Sequence, residues 1–132
     1  MRIVTAGLAR TINRWLVAAG MGLMLMVTQV SAQTSSQAAQ EIKGLLNFVE
    51  HSECRFVRNG SEYSGVQARG HLEQKLNYLE GKHLVSRAED FIDLAATKSS
   101  MSGIAYEVRC PAGVQPASTW LMTELQRQRQ LH

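Results

Sequence analysis

The chain has 132 residues, 45% of them hydrophobic and 19% charged, with two cysteines, two prolines and a formal charge of +3. That length gives room for one domain, and the balance of apolar and charged residues excludes both a disordered chain and a multi-span membrane protein. Aromatic residues make up only 6%, so any core must be mostly aliphatic.

The first 32 residues read as an export signal. Arg2, Arg10 and Arg14 precede an uncharged apolar run from Trp15 to Val30, which closes on Val30-Ser31-Ala32. A charged start, an apolar middle and a small-residue site of this type predict cleavage after Ala32. An uncleaved anchor fits less well: the run is interrupted by Gly20, Gly22, Thr28 and Gln29 and falls short of the roughly 20 apolar residues that span a bilayer. No cysteine follows Ala32 to carry a lipid, and no paired arginines precede the run, so general secretion into a periplasm is expected. Removing the three arginines leaves eleven Lys and Arg against eleven Asp and Glu from Gln33 to His132. The mature domain is formally neutral, and neither nucleic acid nor an anionic lipid surface finds a basic stripe on it.

A first helix is expected from about Gln37 to Glu50, because Ala39, Ile42, Leu45, Leu46 and Val49 repeat on one helical face. Thr34 with Gln37, or Ser35 and Ser36, supply its cap. Gly44 weakens its middle. From Cys54 to Arg58 the period changes to two, and Asn59-Gly60 follows as a turn signal. Ser61-Glu62-Tyr63 is then a short return strand or the loop into the next helix. That helix starts on the capping box Ser64-Gly-Val-Gln67, carries Leu72, Leu76 and Leu79 inward, and stops at Gly81.

A second capping box, Ser86-Arg-Ala-Glu89, opens a helix with Ala88, Phe91, Ile92 and Ala95 on its inner face. Glu89, Asp90 and Asp93 suit the positive end of that helix; as metal ligands they lack further oxygen donors at the right spacing. After a polar loop from Lys98 to Gly103, Ile104, Tyr106, Val108 and Cys110 alternate with Ala105, Glu107 and Arg109 as a half-buried strand ending at Pro111. A turn from Pro111 to Pro116 leads to a last helix, starting near Pro116 or Ser118. It buries Trp120, Leu121 and Leu125 and runs out into a solvated tail, QRQRQLH.

The expected fold class is α+β: about four helices packed on a small antiparallel sheet of two or three strands. Both cysteines, Cys54 and Cys110, lie in the exported part, and an even count in an oxidising compartment reads as a disulfide. Antiparallel pairing of the two strands places Cys54 beside Cys110 and Phe56 opposite Val108, so cysteine positions and alternation agree on one register.

No hydrolase elbow, phosphate-binding glycine loop or H-E-x-x-H motif is present. His71 and Glu73, two apart on a helix, lie on nearly opposite sides and cannot share a metal. His51 and His83 sit near helix ends as capping or solvated residues. The richest segment is Arg58, Asn59, Glu62 and Tyr63, with His71 and Lys75 one turn apart on the following helix. An arginine beside a helix start can hold a carboxylate or another anion. The plainer account, in which Asn59-Gly60 makes the turn, Arg58 pairs with Glu62 and Tyr63 covers the core edge, carries more weight.

The string Cys54-Arg-Phe-Val-Arg-Asn-Gly-Ser-Glu-Tyr63 resembles the signature of domain of unknown function family 5329, a family of small exported bacterial proteins. Ala88-Glu-Asp-Phe-Ile92, Ser102-Gly103, Tyr106 with Val108, and Trp120-Leu121 recur in the same order, so the resemblance covers nearly all of the mature chain. It implies an exported, periplasmic protein and supplies no catalytic residues. The expected role is a non-enzymatic module that binds an envelope protein or a small ligand, with no cofactor, no metal and no nucleic acid. The alternative is a small hydrolase or transferase with a pocket around Arg58, Glu62, Tyr63 and His71.

Overall fold

The computed structural model describes residues 33–132 together with Gly22 and Met24–Met26. The export signal and its cleavage site therefore lie almost wholly outside the described residues. No described helix is long and apolar enough to cross a membrane.

Helix α1, Ser36–His51, buries Ala38, Ile42, Leu45, Leu46 and Val49, the expected stripe with Ala38 in place of Ala39. Its cap is Ser35, whose hydroxyl accepts from the Ala38 N–H at 3.1 Å. Thr34 instead donates to the Val85 carbonyl at 2.8 Å, tying the start of α1 to the segment before the third helix. At the other end, His51 Nδ1 lies 2.9 Å from the Asn47 carbonyl.

Strand β1, Arg55–Arg58, returns through Asn59-Gly60 into β2, Ser61–Tyr63. Asn59 and Gly60 both take left-handed backbone, with φ of 50° and 81°, as a tight two-residue hairpin requires. Of the two readings for Ser61-Glu62-Tyr63, the return strand is the observed one. Helix α2, Gly65–Gly81, opens on the reciprocal box of Ser64 and Gln67. It ends at Gly81, as expected, and the left-handed residue after it is His83, at φ 57°.

Helix α3, Ala88–Ala95, starts one residue later than its expected box. Asp90, not Glu89, reaches back: its carboxylate accepts from the Ser86 N–H, the Ser86 hydroxyl and the Arg87 N–H at 2.9–3.0 Å. Glu89 is thereby free to meet another helix.

Strand β3 spans only Glu107–Cys110. Ala105 makes a lone bridge to Lys98, and Ile104, expected on the inner face, is exposed. The segment expected as a plain turn before the last helix contains a fourth strand, β4, Gly113–Pro116, followed by helix α4, Ala117–Gln130. The sheet is antiparallel throughout, in the order β2-β1-β3-β4. Every residue of β4 is exposed, so no alternation marks it. Pro116 is accommodated because β4 is an edge strand.

Phe56 pairs with both Tyr63 and Val108, the expected register, and the Cys54–Cys110 disulfide closes beside it with the two Cα atoms 4.3 Å apart. This inner face carries the helices. Phe91, Leu45, Ile92, Leu121, Leu125, Val49, Val85 and Val108 are the largest fully buried side chains. Trp120 packs on Phe48 and Phe56, with ring centroids 4.5 and 5.5 Å away. The outer face is polar: Glu62 meets Arg109 at 3.0 Å and Arg55 at 3.8 Å, and Arg109 meets Glu107 at 3.6 Å.

The C-terminal QRQRQ stretch is not a solvated tail but the last turns of α4. Arg127 and Gln128 hold the buried carboxylate of Glu124 at 2.7–2.8 Å. Arg129 clamps Glu41 of α1 at 2.6 Å and Glu89 of α3 at 2.7 Å, joining three helices through one guanidinium. Both carboxyls are held below their ordinary range, chiefly by the hydrogen bond from Arg129. Their contribution to stability is therefore present above the ordinary carboxylate range and is lost as pH falls through the lowered folded values. Arg129→Ala should cost about 2 kcal/mol, more than a fully exposed pair and less than a fully buried one. Urea unfolding at pH 7 and at pH 4 checks this: the variant should start lower and lose less on acidification.

Candidate functional site

The hairpin alternates its residues between the two sheet faces, and that alternation sorts the residues singled out above. Arg58, Tyr63, His71 and Lys75 converge on the inner side, around a cleft between the hairpin, α2 and the segment leading into β3. Asn59 and Glu62 do not. Asn59 donates to the Ser99 hydroxyl at 3.3 Å and accepts from the Ser102 hydroxyl at 2.5 Å, pinning the 98–103 loop to the hairpin tip. Glu62 stands opposite Val57 on the outer face, committed to Arg109 and Arg55. The expected Arg58–Glu62 pair is therefore not formed, and a catalytic pocket of Arg58, Glu62, Tyr63 and His71 is not assembled.

The cleft encloses about 50 Å³, and its floor reaches the core at Val49, Ala68, Leu72 and Leu121. That is far below the roughly 300–1,000 Å³ of a pocket that swallows a drug-sized ligand. It is a slot for one small apolar group. The lining is almost wholly apolar, and the charged side chains that border it rest against aromatic rings. The Arg58 guanidinium lies over the Tyr63 ring, 5.4 Å from its centroid, and the same ring meets His71 edge-on at 4.9 Å. Lys75 Nζ sits 5.1 Å from the Tyr106 ring centroid and donates to the Tyr106 hydroxyl at 3.3 Å and the Lys98 carbonyl at 3.2 Å.

Burial lowers the His71 pKa first, and the neighbouring Arg58 charge lowers it further. His71 is thus a neutral imidazole at pH 7, able to donate one hydrogen bond and accept one. Arg58 and Lys75 supply the positive charge at the opening. Glu107 also borders the cleft but is drawn outward to Arg109.

Sequence reasoning did not include Tyr106 in the site. Its signal was the alternation of Tyr106 with Val108, which assigns both to the inner face. The floor residues were legible only as core, because nothing local distinguishes a core residue that borders a cleft from one that does not. Glu89 and Asp90, weighed as metal ligands, are held by Arg129 and by the start of α3.

A family model described as a family of unknown function (DUF5329) matches residues 36–129, from α1 into the end of α4. Uncharacterized protein YfeK of Salmonella typhimurium strain LT2 is 30% identical over 84 residues, which cover 63% of this chain and 68% of that protein. No solved structure matches.

Proposed function

This chain belongs to the family of unknown function DUF5329, and we propose that it is an exported, non-enzymatic binding module whose recognition site is the cleft between the hairpin and α2. One observation carries the reading. Arg58, Lys75, His71 and the rings of Tyr63 and Tyr106 border an apolar opening whose floor is the core, and the two cations are each held over a tyrosine ring. Polar groups converging on an apolar recess are the usual form of a ligand site. Export is supported by the tripartite N-terminus and is compatible with the Cys54–Cys110 disulfide. The intact mass of protein recovered from a periplasmic fraction should begin at Gln33.

Binding is tested with three small probes that share one branched apolar end: isovalerate, isopentanol and isopentylamine. Saturation-transfer NMR on the protein with its disulfide intact should show transfer to at least one of them. Transfer to none would overturn the reading.

A further inference from the structure

Resting on the cleft as the binding site, we infer that its ligand is a small branched aliphatic group carrying a carboxylate, as in a short branched-chain acid or a C-terminal valine of a peptide. Size sets the first half of the inference. A recess of about 50 Å³, floored by Val49, Ala68, Leu72 and Leu121, admits a few carbon atoms and leaves a longer chain outside.

Charge sets the second half. Among the described residues six cations make no ion pair, Lys43, Arg58, Lys75, Lys82, Arg87 and Lys98, and of these Arg58 and Lys75 line the cleft. The two cations border one opening, Arg58 from β1 and Lys75 from α2. Each is braced by a tyrosine ring, so ordering them around an anion costs little further side-chain freedom. A guanidinium fork matches the two oxygens of a carboxylate, and the Lys75 ammonium adds a point charge. Neutral His71 completes the rim with a hydrogen bond and no competing charge. A cationic ligand would meet two like charges here, and a bare inorganic anion would leave the apolar recess unused.

Titration of the same three probes separates this inference from the reading it rests on. Isovalerate should bind at least tenfold more tightly than isopentanol, with isopentylamine weakest, and Lys75→Met should abolish most of the isovalerate advantage. Raising the salt concentration should narrow the gap between acid and alcohol. Equal affinity for acid and alcohol would overturn the carboxylate inference while leaving the cleft as a binding site; absence of binding by all three overturns both. The tripeptide Gly-Gly-Val and its C-terminal amide identify the source. Tighter binding of the tripeptide acid than of isovalerate assigns a peptide terminus, and weaker binding assigns a free acid. Equal binding of the tripeptide acid and its amide counts against the inference.

Discussion

Replacing Cys54 and Cys110 together by alanine should cost about 4 kcal/mol, the chain-entropy value for a cross-link across 56 residues. A domain of this size has only about 5–15 kcal/mol in total, so the melting temperature should fall by on the order of 20 °C. The bond joins the approach to β1 with the end of β3, neighbouring strands that are far apart in sequence. Without it, the unfolded chain regains the freedom of everything between, including α2 and α3. The double variant is the cleaner test, since a single one leaves a thiol in the core. Urea unfolding of the double variant should show a lower midpoint, and a loss under about 1 kcal/mol would contradict the account.

Two glycines of α2 should respond to alanine with opposite signs. Gly65 is the first residue of the helix, where it crosses the end of α1. A Cβ there would stand 2.5 Å from the Val49 carbonyl oxygen and 2.7 Å from that of Glu50. Both are backbone atoms, so the two helices must separate, at a cost of about 2–3 kcal/mol. That exceeds the roughly 1 kcal/mol by which alanine is the better helix former. Gly70, one and a half turns later, has nothing within 4 Å of the same position, so Gly70→Ala should stabilise by about 0.5–1 kcal/mol. Thermal unfolding of the two variants side by side decides the matter; a stabilised Gly65→Ala would show that α2 does not seat on α1 this closely. The contact also bears on the site, because it fixes the helix that presents Ala68, His71, Leu72 and Lys75 to the cleft.

The helices were legible in the sequence because each buries a regular stripe behind a polar cap. Errors arose where the deciding contact is distant or where burial leaves no pattern. Spacing alone assigns the box at Ser86 to Glu89, yet the carboxylate that reaches back is Asp90, and Glu89 is taken by Arg129 from 40 residues away. Strand β4 has no buried residue, so its four positions read as a turn between prolines. The run QRQRQ reads as solvated until Glu41, Glu89 and Glu124 are seen beside it.

The candidate site was legible as a neighbourhood, not as a surface. Arg58, Tyr63, His71 and Lys75 meet because β1 and β2 present alternate residues inward while α2 returns across them. By the same period of two, Glu62 beside Tyr63 points to the other face, while Asn59 sits in the turn and is held by Ser99 and Ser102. Had the pairing slipped by one residue, Glu62 would face His71 and a different chemistry would follow.

The central claim, that the cleft between the hairpin and α2 is the binding site, is tested most directly by mapping amide chemical shifts during titration with the tightest of the three probes. The shifts should centre on Phe56, Tyr63, Ala68, His71 and Lys75 and leave Arg55, Glu62, Arg109 and Val114 unmoved. Shifts centred on the outer face, or scattered over both, would contradict it.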